Sequence, residues 1–166
     1  MKLQPILERI YNWSVADSIR QSEYAFPAIE CVHVLSICSV VGIIAIVDLR
    51  LFGLRAHTPR LTVLLRQLIP IVWGSFVLAA ASGGLLFASN ATGYGRNFDF
   101  QVKMALLVFA FLNMLVFHVI GGRRLAAWDE AERPPLAARV SGVVSLLLWI
   151  GVVAFGRHVG FSLRPF

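Results

Sequence analysis

Charge is what this sequence has least of. Charged side chains make up 14% of its 166 residues, against about 25% in an ordinary globular domain, while hydrophobic residues reach 58%. So short a chain has too little polar surface to wrap a water-soluble core. That excludes a soluble enzyme, a disordered segment and a collagen-like repeat. Cysteine is scarce as well, with only Cys31 and Cys38. Both fall in the first apolar stretch, roughly 10 Å apart on a helix rising about 1.5 Å per residue. That is beyond disulfide reach, and they read as small packing residues. Phosphate-loop, nucleophile-elbow and HExxH patterns are missing. Residues 1–25 carry Glu8, Arg9, Asp17, Arg20 and Glu23, so they lack the unbroken apolar run of a cleavable signal.

What the chain does have is long apolar runs, at Phe26–Phe52, Leu68–Ala88, Val102–Ile120 and Leu136–Phe155. Each is close to the ~20 residues that cross a bilayer. Unpaired backbone groups are not tolerated in lipid, so each run is expected to be a helix. Pro27 opens the first run, Gly53 follows it, Thr58-Pro59 starts the second helix and Pro70 should kink it. Residues 88–95 read as a turn-rich loop, Gly121-Gly122 ends the third run, and Pro134-Pro135 precedes the fourth. Ile6, Leu7, Ile10 and Trp13 recur at helical spacing among charges, which predicts an amphipathic interfacial helix over residues 5–22. The expected fold is all-α: a membrane four-helix up-down bundle over 26–166, preceded by an interfacial segment over 1–25. Small-residue rows at Ser75, Ala79 and Gly83, and at Ser141/Ser145 and Gly156/Gly160, should let the helices approach closely.

The net charge of +6 is spread between apolar runs, which argues against nucleic acid and for the lipid bilayer as the partner. Arginines cluster in the connections after the first and third runs (Arg50, Arg55, Arg60, Arg66, Arg123, Arg124, Arg133 and Arg139). The connection after the second run holds only Arg96 and the boundary Lys103. The positive-inside rule then places both termini outside a bacterial inner membrane, in the periplasm if the source is Gram-negative.

Ionisable residues inside lipid spans are costly and tend to face the bundle interior. At about 100° per residue, Glu30, His33 and Asp48 share a face of the first spanning helix. Lys103 and His118, with Asn113 at the edge, share one on the third, and Gly151 and His158 share one on the fourth. These faces are expected to meet, with Glu30 paired to Lys103 and with Asp48 bonded to Arg66 or His118. Such pairs can serve only to fix helix register. A sharper reading takes His33 and His158 as axial ligands of a haem b, Gly151 as room for the macrocycle, and Arg96 and Arg157 as propionate partners. Glu30, Lys103 and His118 would then relay protons or stabilise the site. A single copper or zinc ion on Glu30, His33 and His158 is another arrangement. A di-iron centre is excluded, because Asp48 lies about 27 Å from Glu30 along the helix at about 1.5 Å per residue.

At Phe26-Pro27-Ala28-Ile29-Glu30-Cys31-Val32-His33, and again at Asp48-Leu49-Arg50-Leu51-Phe52-Gly53, the chain resembles a family of small bacterial four-helix membrane proteins of unknown function. The resemblance extends through Lys103, Asn113, His118 and Gly156-Arg157, and implies fold and location without an activity. More distantly the arrangement is similar to transmembrane cytochrome b bundles. The leading expectation is therefore a haem-b electron-transfer protein of the inner membrane, exchanging electrons with quinone and a periplasmic redox partner or larger complex. The competing expectations are a non-catalytic scaffold or accessory subunit and, third, a small metal-handling or transport protein.

Overall fold

The computed structural model describes residues 4–52, 61–117, 119 and 134–163, and no strand occurs among them. Among the described residues seven helices follow in chain order: α1 (Gln4–Tyr11), α2 (Ser14–Gln21), α3 (Ala25–Phe52), α4 (Leu61–Ser89), α5 (Ala91–Arg96), α6 (Phe98–Val116) and α7 (Leu136–Ser162). Helices α3, α4, α6 and α7 are long and apolar enough to cross a membrane. The protein is a multi-pass, all-α membrane bundle. Its outward positions carry bare aliphatic side chains such as Leu35, Val77 and Leu147, as a lipid-facing surface requires.

Helix ends are set by short polar side chains. Ser22 Oγ accepts from the Ala25 N–H at 3.2 Å at the start of α3. Asn97 Oδ1 accepts from the Phe100 N–H at 2.9 Å at the start of α6, while its amide donates to Ser162 Oγ at 2.8 Å and ties α6 to the end of α7. The expected loop over residues 88–95 instead contains α5. Its cap is Asn90, whose side chain accepts from the Gly93 N–H at 3.2 Å. A Cβ at Gly93 would lie 2.5 Å from Asn90 Oδ1, so any larger residue there would displace the capping side chain.

The single amphipathic helix expected near the N-terminus is broken in two between α1 and α2. Both pieces dock on the protein. Leu7 of α1 covers Gly95 of α5, and Ala16 and Ile19 of α2 are buried. Arg20 donates to the Ser89 carbonyl at 3.2 Å and to Asp17 at 3.2 Å, and stacks over Tyr11. Together α1, α2 and α5 cap one end of the bundle, called here the cap end. The far end is where α3 stops and α4 begins.

Packing is uneven around the bundle. α3 packs against α4 on one side and α7 on the other, α7 packs against α6, and α4 and α6 make no comparable contact. The order across the bundle is α4–α3–α7–α6, with one flank open. The closest approach is at the far end, where a Cβ on Gly142 of α7 would sit 2.9 Å from the Asp48 carbonyl oxygen of α3 and 3.1 Å from Leu51 Cβ. Small residues allow this proximity when lipid offers no hydrophobic drive. Leu51, Leu64 and Ala138 form the buried cluster beside it.

Candidate functional site

His33 projects from α3 toward α4 and meets a notch made by small residues. Its Nδ1 is 2.9 Å from the Ala79 carbonyl oxygen and 3.1 Å from Ser82 Oγ. A carbonyl only accepts, so the Nδ1–H donates and Nε2 keeps its lone pair. The Ser82 hydroxyl gives its own proton to the Leu78 carbonyl at 2.7 Å. The imidazole lies against Gly83, where a Cβ would come within 2.7 Å of Cε1. Ala79 and Gly83 belong to the small-residue row expected to serve packing alone. Here the row cradles a polar ring, and Ser82, one residue off it, is the partner that periodicity missed.

Close by, Phe87 of α4, Tyr94 of α5 and Phe100 of α6 form an aromatic cluster. Ring centroids are 5.5 Å apart for Phe87–Phe100, 5.3 Å for Tyr94–Phe100 and 6.2 Å for Phe87–Tyr94. Burial, and then the nearby Glu30 charge, push the Tyr94 phenol above its ordinary pKa. Lys103, one turn from Phe100, carries its Nζ 5.7 Å from that ring's centroid. Its Cδ passes 3.6 Å from the place a Cβ would take on Gly156, and its charge is within electrostatic reach of His33. Glu30, His33, Tyr94 and Lys103, drawn from three helices, thus surround one cap-end region.

The partners differ from those expected. Glu30 is exposed and makes no ion pair with Lys103, because the lysine stem turns inward toward α7. His158 does not face His33. It is exposed at the rim of the bundle, with Nδ1 3.8 Å from Asp99 Oδ2 on α6. The space expected at Gly151 for a flat ring is filled by Leu106, whose Cδ1 would be 3.0 Å from a Cβ there. Arg157 stacks over Phe161 at 4.6 Å on its own helix, and Arg96 is exposed. Glu30, His33 and His158 are not brought together as a set, and no cluster of three metal-ligating side chains occurs among the described residues.

At the far end, Asp48 is 5% exposed. Ser145 of α7 lies near its carboxyl group, and Oδ2 has no hydrogen-bond partner among the described residues. Arg66, one expected partner, is exposed; His118, the other, lies outside the described residues. Asn113 of α6 donates to the Ser141 carbonyl at 3.0 Å and accepts from the Ser141 hydroxyl at 3.2 Å. Ser141 is therefore a hydrogen-bonding residue as well as a small one.

No curated protein and no solved structure matches the chain. A family model does match, over residues 22–162, which takes in all four spanning helices and every polar contact between them. The chain belongs to that family, a family of unknown function (DUF6644).

Proposed function

We propose that the protein is a non-catalytic integral subunit of a larger inner-membrane assembly, with its cap end and both termini on the periplasmic side. The observation that carries this reading is the use made of the embedded polar groups. His33 with Ala79 and Ser82 joins α3 to α4, and Asn113 with Ser141 joins α6 to α7. Each is a pairwise bond across a helix contact, the pattern by which polar groups specify register. The capped end supports the same reading, since docked α1 and α2 leave Trp13 half exposed for a partner surface. The orientation rests on the arginines clustered in the opposite connections.

A second reading, haem-b electron transfer, is favoured by one feature of His33. Histidines that bind metal usually donate their other ring N–H to a carbonyl, and the Nδ1–H of His33 does so. Its Nε2 would be one axial ligand, and the haem would supply one-electron transfer with quinone or a periplasmic carrier. His158 beside Asp99 and Leu106 against Gly151 do not complete that site, so a second ligand would come from elsewhere.

The visible spectrum of detergent-purified protein separates the readings. A colourless protein, in which His33→Ala lowers the melting temperature and weakens co-purification of partners, is the outcome expected for a structural subunit. Dithionite-reduced bands of a b-type haem that vanish in His33→Ala would overturn it in favour of electron transfer.

A further inference from the structure

Lys103 is the embedded charged group whose role the interhelical bonds leave unexplained. Neither of the cap-end carboxylates Asp99 and Glu30 forms an ion pair with it. Asp99, one turn earlier on α6, faces His158 at 3.8 Å, and Glu30 is exposed on α3. What Lys103 does meet is apolar: the Phe100 ring and the backbone groove at Gly156. An ammonium in that setting is stabilised far better by an anion than by a ring face.

Access to this region is lateral. α1, α2 and α5 roof the cap end, with Leu7 closed over Gly95 and Arg20 bonded to the Ser89 carbonyl. Apart from the Phe87–Phe100 stack, α4 and α6 make no contact comparable to that of the neighbouring helix pairs. A ligand that reaches Lys103 therefore comes from the bilayer rather than from water. It needs an oxyanion for the ammonium and an apolar tail for the open flank. The Tyr94 hydroxyl, on the same aromatic cluster, is a donor for a second oxygen.

We propose that the flank between α4 and α6 at the cap end binds one anionic amphiphile, its phosphate or carboxylate headgroup held by Lys103 and Tyr94 and its tail lying between the two helices. The site does not depend on what the bundle assembles with, nor on whether His33 carries a cofactor.

The test is native mass spectrometry of the full chain, delipidated in detergent and titrated separately with phosphatidylglycerol, oleate, phosphatidylcholine and decylubiquinone. The expected result is saturable retention of a single anionic molecule, with phosphatidylglycerol against oleate deciding between phosphate and carboxylate. Lys103→Gln should weaken that retention about tenfold, the scale of one lost charge-assisted hydrogen bond. Tyr94→Phe should weaken it about threefold, at the lower end of a neutral hydrogen bond. Arg157→Gln, at the exposed rim, should leave it unchanged. If Lys103→Gln does not fold, the wild-type preference for the anionic over the zwitterionic lipid, together with the Tyr94→Phe effect, still decides the matter. Equal retention of phosphatidylcholine, tighter retention of the neutral quinone, or an equal loss in Arg157→Gln would overturn the proposal.

Discussion

At its cap end α3 gives His33 to α4, and at its far end it gives Asp48 to α7. The two residues lie on one helical stripe, yet their surroundings differ in kind. His33 is half buried, with both partners for Nδ1 in place and a side-chain ring filling the notch at Gly83. Asp48 is almost wholly buried, its Oδ2 has no hydrogen-bond partner among the described residues, and it sits where backbone meets backbone at Gly142. A helix that packs on both sides can direct successive polar residues to different neighbours. The far-end contact is rigid because main chain forms its wall. The cap-end contact is adaptable because a ring that can rotate forms its wall.

That difference predicts unequal costs for the same substitution. Gly142→Val should be the most damaging change, because its Cβ would press on the Asp48 carbonyl and drive α3 and α7 apart. Overpacking of this sort costs about 3 kcal/mol at the upper end of its usual range. It should appear as a large drop in the melting temperature in mild detergent. Gly83→Val should cost about half as much. The imidazole can swing away from the new side chain, forfeiting its hydrogen bonds at about 1 kcal/mol and some packing. Equal losses for the two variants would show that the ends are alike and break the comparison.

Much of this was legible in the sequence, and the part that was not has a physical reason. All four spans were marked by apolar length, although α4 begins at Leu61, ahead of its apolar run, and α7 continues to Ser162. A few polar residues do not stop a helix that is already nucleated and packed. Glu30, His33, Asp48, Lys103 and Asn113 could be singled out because ionisable or amide groups inside lipid spans are rare. Their partners could not. A period of about 100° per residue tells which residues share a face of a helix but not which neighbour that face meets. Grouping His33 with His158 assumed that the stripe on α3 pointed wholly at α7. The bonds to Ala79, Ser82 and Ser141 depend instead on where glycine and serine let backbones come close, and that is a property of helix pairs.

A smaller effect sharpens the same contrast at the joint between α6 and α7. Asn113 and Ser141 exchange two hydrogen bonds across that joint, but only one of them, from the Ser141 hydroxyl, needs the Ser141 side chain. In a double-mutant cycle with Asn113→Ala and Ser141→Ala, the coupling should be about 0.6 kcal/mol, the usual size of such a term inside membranes. Asn113→Ala alone should cost more than Ser141→Ala alone, since it removes both of these bonds where Ser141→Ala removes one. A coupling near zero would mean that the side-chain bond adds nothing to the joint.

The smallest expected effect is confined to alkaline pH and to the cap end. Tyr94 lies outside the spanning helices, and burial with the Glu30 charge raises its pKa above the ordinary value of 10.0. The folded protein therefore holds the phenolic proton to higher pH than the unfolded chain does. Its contribution to stability is fully present below the unfolded pKa and is lost as pH rises through the folded one. Melting temperature measured against pH should accordingly bend downward above about pH 10, accompanied by late-appearing tyrosinate absorbance. In Tyr94→Phe the bend should diminish, because the ring stays against Phe87 and Phe100 while the titrating group is gone. Glu30→Gln should shift the onset of tyrosinate absorbance to lower pH by removing the charge that opposes ionisation. If that variant leaves the onset where it was, Glu30 does not act on Tyr94 across the cap-end region.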